Sequence, residues 1–435
     1  MTSKRIVFCT YGSLGDVYPF LALALELKGR GHSPVIATSP AYRRLVEQEN
    51  IPFHPVRPDI DVNDPTVLRR VLDKRDGGRY VICDLLLPSL RESFDDTAAA
   101  AHRADLLVTH PMALSAFLFA RKTQMPWASI ALAPLSMYSA YDPPVLPGLP
   151  GAAHIAALGP FLQRRLLRML CFLFEPQWKP FRRFEALLGL PPSPNPLFFG
   201  HSPHVALGLF SPVLAGPQPD WPESAHAVGF PFYQHPHEAD DELRAFLDGG
   251  EPPIVFTLGS AAVGVPGSFF AESATAVARL GCRALFLVGR DPRNHPNLPL
   301  PPGVLAIPYA PHAVVFSRAS VIVHPGGIGT TGEAMRAGRP MLVVPYSHDQ
   351  PDQAARLTRL GIARAVPQER YTARVAEREL RLLLENGNYR RRAAEVASRV
   401  RRETGVSTAC DLLLRAAHVP AKTTVTAAIG GSHSW

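Results

Sequence analysis

The sequence predicts an α/β protein made of two doubly wound halves facing one cleft. Three observations predict it. Short, uninterrupted apolar runs alternate with helical patterns, which implies parallel strands covered on both faces. The alternation occurs twice, on either side of an aperiodic, proline-rich stretch. The length, 435 residues, suits two domains of the usual size.

In the first half, Ile6 to Thr10, Val35 to Thr38, Phe53 to Val56, Leu106 to Thr109 and Ala128 to Leu132 read as strands. Pro19 to Lys28 reads as a helix, with Pro19 suited to its first turn and Gly29 and Gly31 to its end. Tyr42 to Glu49 and Ala113 to Arg121 are also helical in pattern. From Pro134 the character changes. A Pro/Gly-rich loop, Pro143 to Pro150, precedes two amphipathic helical stretches, Phe161 to Phe174 and Phe181 to Leu188. Val205 to Leu209 returns to strand character. Ser211 to Pro236 carries Trp221, His226 and His235 among prolines without periodicity and reads as an interdomain linker. Of 45 prolines, 19 lie between Pro134 and Pro236 and 7 between Pro292 and Pro311, so they mark stiff loops rather than broken helices.

The second series has strands at Ile254 to Leu258, Ala284 to Val288, Val304 to Ile307, Val321 to His324 and Met341 to Pro345. Three helical stretches follow and end near His418. The expected organisation is an N-terminal domain over 1–215, a linker over 216–236, a C-terminal domain over 237–418, and a polar, disordered tail over 419–435. In such sheets ligands sit at the carboxyl ends of the strands, so the cleft lies between the halves.

The net charge of +8 is modest. The densest basic run, Arg390 to Arg402, has helical spacing and no interleaved aromatics, so it reads as a solvated face and not a nucleic-acid surface. The five cysteines are scattered without a C-x-x-C pair, which supports neither a zinc site nor a disulfide framework and fits a reducing, cytosolic setting. No apolar stretch reaches the length of a membrane span, and no signal-peptide pattern opens the chain. Asp59-Ile60-Asp61 has the D-x-D spacing of a metal site but lacks a third ligand at clear spacing, and reads as a solvated loop.

Three loops carry candidate chemistry, each directly after a predicted strand. The first runs from Tyr11 to Pro19, with Gly12, Ser13 and Gly15 allowing close approach of a ligand. Asp16 in it is either a helix-capping carboxylate or a general base facing the cleft, and position alone does not choose. The second, Thr257 to Ala262, offers Ser260 and a Gly-Ser turn to an anion. The third, His324 to Glu333, joins strand to helix through Gly326, Gly327, Gly329, Thr330 and Thr331. A helix N-terminus there suits a diphosphate. After the next strand, Ser347 to Gln353 sets Asp349 and Gln350 where they suit sugar hydroxyls. One competing reading takes Gly327-x-Gly329-x-x-Gly332 as a dinucleotide fingerprint, with Asp349 as the ribose acid of an oxidoreductase. Against it, few strands remain after that point.

These motifs resemble the nucleotide-sugar-dependent glycosyltransferases of the GT-B fold. The likeness extends over about residues 5 to 415. It is greatest to the bacterial branch holding sterol glucosyltransferases, glycopeptide-antibiotic glycosyltransferases and the rhamnosyltransferase of rhamnolipid synthesis. The resemblance implies two Rossmann-like domains and an inverting, metal-independent transfer of a hexose from a UDP- or dTDP-sugar to a hydroxyl of a hydrophobic small molecule or lipid. No prosthetic group is implied. It makes Asp16 the general base. It gives Ser260, His324 and the amides from Gly326 to Thr331 to the leaving diphosphate, and Asp349 and Gln350 to the donor sugar. It makes Tyr309 the ring that stacks on the base, with His312 contacting the nucleoside. Plant-type relatives have a ribose-binding glutamate where this chain has Gly332, and Glu333 stands one place later. The acceptor site is expected in the N-terminal domain, where Ile155 to Leu190 is apolar, with His110 and Trp178 as candidate lining residues. The basic rim of 161–183 suggests peripheral contact with an anionic membrane at the inner face.

Overall fold

The structure is a computed structural model and describes residues 2–61, 64–146, 159–233, 241–295 and 300–419. The expected disordered tail beyond residue 419, the second half of the Pro143 to Pro150 loop and the start of the Ile155 to Leu190 stretch lie outside the described residues.

Two parallel sheets form as the apolar runs require. The first holds β1 (Arg5–Cys9), β2 (Ser33–Thr38), β3 (Phe53–Pro55), β4 (Leu106–Thr109), β5 (Trp127–Ala131), β6 (Val205–Gly208) and β7 (Ala225–Ala227), in the order β3-β2-β1-β4-β5-β6-β7. The second holds β8 (Ile254–Thr257), β9 (Ala284–Leu287), β10 (Val304–Ile307), β11 (Val321–His324), β12 (Met341–Val343) and β13 (Ala363–Ala365), in the order β10-β9-β8-β11-β12-β13. In both, chain direction across the sheet reverses beside the first strand, between β1 and β4 and between β8 and β11. That is the topological switch point where doubly wound sheets bind ligands. Central strands such as β4, β8 and β11 are buried on both faces, so their side chains drive folding through burial.

Some elements differ from the sequence expectation. The first helix runs Leu14–Gly29, five residues earlier than Pro19. Ser13 and Asp16 form a reciprocal capping box, and this local hydrogen bonding fixes the start upstream of the proline. Pro19 forgoes one helical hydrogen bond, to Gly15, a residue without a side chain to crowd the ring. Within the expected linker, Ala225–Ala227 pairs with β6 and extends the first sheet. Three residues flanked by prolines show too little alternation to be read as a strand.

The halves share their cores. Phe210, Leu214 and Phe230 of the first half pack in one cluster with Leu285, Ile322 and Val343 of the second. The last helix, Gly405–Ala416, returns to the first half, where Cys410 and Leu413 join Phe20, Leu27 and Leu207. Leu72 of the first half is buried among Phe256, Phe286 and Tyr371.

Candidate functional site

The loops after β1 and β4 meet at the first switch point. Gly12 has φ +139°, and a Cβ there would sit 2.3 Å from Asp16 Oδ2. Only glycine leaves room for that carboxylate. Asp16 Oδ2 accepts from the Ser13 amide at 2.7 Å and the Ser13 hydroxyl at 3.1 Å, and the Gly15 amide donates to Ser13 Oγ at 3.2 Å. Asp16 is therefore part of the cap, and both bonds it accepts use the same oxygen, Oδ2. His110 Nε2 lies 3.6 Å from Asp16 Oδ1. The Met112 amide donates to His110 Nδ1 at 3.3 Å, which places the ring proton on Nε2, facing Asp16. Burial holds His110 below its usual pKa, so it is neutral near pH 7.

Several expectations are revised here. Ser13 and Gly15 are engaged with Asp16 and with each other, so they orient that carboxylate instead of offering free groups to a nucleotide. His110, a candidate lining residue of the acceptor site, stands directly beside Asp16. Trp178, the other candidate lining residue, is 3 % exposed and packs edge-on to Phe181 at 5.6 Å within the domain core. A recess does open beside the Asp16 loop, lined by Tyr11, Val56, Leu86, Leu90 and Met112.

At the second switch point, Gly259 has φ +65°, and its Cβ position lies 3.6 Å from Thr330 Oγ1. The Ser260 turn and the β11 loop are thus side by side, with Ser260 exposed. The helix after β11 spans Ile328–Ala337. Its first turn leaves the Ile328, Gly329 and Thr330 amides without helical acceptors. The Gly326 amide donates to His324 Nδ1 at 3.1 Å and the Thr331 amide to Gly327 O at 2.9 Å, so these two do not form part of an anion cradle. His324 Nε2 and Thr331 Oγ1 are buried with no hydrogen-bond partner. Burial, with His312 adding to it, pushes His324 down to about 3, so it stays a neutral donor. Orphaned polar groups are rare in protein interiors and suit ligand oxygens.

Asp349 occupies the N-cap position of the helix Gln350–Arg359, and its side chain makes no capping hydrogen bond there. Burial raises its pKa to about 7, and Asp16 across the cleft adds to the shift. Gln350 Oε1 accepts from the Tyr346 amide at 2.7 Å and the Ser347 amide at 3.2 Å. Its carbonyl shapes its own loop, leaving its amide nitrogen as the group able to reach a ligand.

Tyr309 is half exposed, and burial followed by nearby Glu333 holds its hydroxyl above the ordinary range. His312 lies flat on Phe316 at 4.5 Å. Glu333 bonds Arg336 at 2.6 Å. Gly332 is closed off by Phe230, 2.8 Å from its Cβ position, so no side chain fits where other sequences carry glutamate. Sequence reading missed Tyr18, which stacks on Tyr233 at 4.9 Å and lies near Tyr309 and Arg290. Its place in the first glycine-rich loop was the available signal. It also missed the Asp16–His110 contact, because 94 residues separate the two.

The dinucleotide alternative is not supported. Its glycine run follows β11, the fourth strand of the second half, whereas that fingerprint follows the first strand of its sheet. Among the described residues, no group of three or more His, Cys, Asp or Glu is placed to hold a metal ion, and no helix is long and apolar enough to cross a membrane.

Residues 6–77 match the glycosyltransferase family 28 N-terminal domain, and residues 287–406 the erythromycin biosynthesis protein CIII-like C-terminal domain. The O-mycaminosyltylonolide 6-deoxyallosyltransferase of Streptomyces fradiae is 34% identical over 423 residues, covering 94% of this chain and 96% of that protein. A sterol 3-beta-glucosyltransferase of Neosartorya fischeri is 27% identical over 95% of this chain, which spans only 29% of that larger protein. The solved structure of the glycosyltransferase VinC in complex with dTDP superposes with TM-score 0.68 at 18% identity, covering 95% of this chain and 99% of that one.

Proposed function

The chain belongs to the GT-B nucleotide-sugar glycosyltransferases of macrolide and sterol type, and from that membership we propose that it moves a hexose, with inversion and without a metal ion, from a UDP- or dTDP-sugar to a hydroxyl of a hydrophobic acceptor. One observation supports the reading: Asp16 of the first half lies near enough to the buried Asp349 of the second for its charge to add to the rise in that carboxyl's pKa.

In this mechanism the acceptor hydroxyl lies against Asp16 Oδ1. The carboxylate takes its proton as the oxygen attacks the anomeric carbon from the side opposite the leaving group. Ser13 fixes Asp16 Oδ2, and His110 Nε2–H stabilises Oδ1. The glycosidic C–O bond to the diphosphate breaks, and charge grows on the phosphate oxygens. The Ile328, Gly329 and Thr330 amides, the Ser260 hydroxyl, His324 Nε2–H and the Thr331 hydroxyl meet that charge. Asp349 and the Gln350 amide bind the sugar hydroxyls. Tyr309 stacks on the base beside Tyr18 and Tyr233, His312 supports the nucleoside, and Glu333 reaches the ribose. The recess of Tyr11, Leu86, Leu90 and Met112 offers an apolar wall beside the acceptor hydroxyl. Contact of 161–183 with an anionic surface is supported by the helix Pro160–Phe174, which buries only Gln163 while Phe161 and Phe172 stand exposed near Arg165 and Arg168.

The test is mass spectrometry of products from UDP- and dTDP-sugars against a panel of macrolactones and sterols. A product heavier by one hexose or deoxyhexose, with nucleoside diphosphate released, is expected. NAD- or FAD-dependent oxidation of the same panel without sugar transfer would overturn the reading.

A further inference from the structure

The helix Gln350–Arg359, with Asp349 at its N-cap position, carries a second feature outside the site. Asp352, Arg356 and Arg359 follow Asp349 at spacings that keep all four on one side of the helix. Arg356 Nε donates to Asp352 Oδ2 at 2.8 Å, and both side chains are buried. Arg356 also pairs with Asp142 of the first half, and Arg359 Nη2 reaches Asp142 Oδ1 at 3.0 Å. The Val145 amide donates to Asp352 Oδ1 at 3.1 Å. Burial alone would lower Arg356, but Asp352 and Asp142 outweigh it, and the guanidinium stays charged.

The segment making these contacts leaves the carboxyl end of β5, on the same edge of the sheet as Asp16 and His110. Its nearer end is also pinned. Asp220 accepts from Ser139 Oγ at 2.6 Å and from the Ala140 amide at 2.9 Å, and Trp221 Nε1 donates to Met137 O at 2.9 Å. A short segment held at both ends transmits position with little slack.

We propose that Asp142, through Arg356, latches the Asp349 helix to the first half and so sets Asp349 opposite Asp16. This makes Asp142 a positioning residue for transfer that touches neither donor nor acceptor. The inference rests on the reading of Asp16 and Asp349 given above. Removing Asp142 leaves the buried Arg356 paired with Asp352 and frees the exposed Arg359, whereas removing Arg356 would leave the buried Asp352 without its charged partner.

The test uses the full chain and whichever donor and acceptor the parent turns over. Asp142→Asn should lower kcat/KM at least about tenfold, since small misplacements of reacting groups are costly in rate. UDP and dTDP affinity should stay near parent values, because the proposed nucleotide contacts lie at the β8 and β11 loops, and Tm should fall only in part, since Arg356 keeps Asp352 as a partner. Asp142→Glu should recover most of the rate. Asp142→Asn added to Asp349→Asn should cost little beyond Asp349→Asn alone, as coupled sites are not additive. Unchanged kcat/KM in Asp142→Asn, or a loss that adds fully to that of Asp349→Asn, overturns the latch. Should Asp142→Asn fold poorly, Arg359→Ala removes one arm from an exposed side chain. A partial rate loss at parent Tm is then expected, and parent rate overturns the latch. Parent activity in Asp349→Asn alone would instead contradict the donor-sugar reading, with the latch still read from Asp142→Asn.

Discussion

Asp16 completes a helix cap through Oδ2, and the proposed proton transfer would use Oδ1, which lies beside His110. Gly12→Ala should therefore move the carboxylate, and transfer should fall about 10²-fold in steady-state kinetics, in line with the cost of an ångström-scale misplacement. Asp349 carries a separate signature. Its folded pKa is raised to about 7 from 3.8, so the folded chain holds a proton that the unfolded chain has lost. Between those values stability falls as pH rises, and the penalty is complete above about 7. Asp349→Asn should raise Tm at pH 8 and leave it nearly unchanged near pH 4, as followed by differential scanning calorimetry. A fixed Tm difference at both values would contradict the buried, protonatable carboxyl. Much of this site was legible because its chemistry sits in short loops after strands. The partners of those groups were not, since burial and long-range contact decide whether Ser13, Gly326 or Gln350 is free to meet a ligand.

Local hydrogen bonding and packing override simple punctuation at the level of elements. The proline at 19 suggested a helix start, but the Ser13–Asp16 box set it earlier. Strands such as β4 and β11 were readable to the residue because a buried parallel strand needs an unbroken apolar run. The edge strand β7 was not, because edge position relaxes that requirement. In the helix Ile328–Ala337, Gly332 is fixed by Phe230 from the end of the first half. Gly332→Ala should destabilise the protein by about 1–3 kcal/mol through overpacking, measured by denaturant unfolding. It should also weaken dTDP or UDP binding, since the same helix presents its amides to the diphosphate. Wild-type stability in that variant would mean that Phe230 yields without cost.

Across the whole molecule, the halves are joined through shared cores as well as by a connecting segment. The returning helix Gly405–Ala416 places Ala409, Cys410 and Leu413 in the first half, and Arg30 anchors it to Asp411 at 2.5 Å. A chain ending at Thr404 should lose cooperative melting of the first half, because burying Leu413 alone is worth about 1.5–3 kcal/mol, with Ala409 and Cys410 adding less each. Circular dichroism of that truncation would show it, and an unchanged transition would contradict the shared core. Several of the prolines open helices, Pro160, Pro180, Pro196 and Pro351 among them, each in the first turn. The central claim is that transfer occurs between Asp16 and the Asp349 helix. Its most direct test is the turnover of Asp16→Asn, with UDP and dTDP affinity measured on the same preparation. Turnover should fall about 10²–10⁴-fold, the usual worth of a general base, with nucleotide affinity unchanged. Turnover equal to the parent enzyme would contradict it.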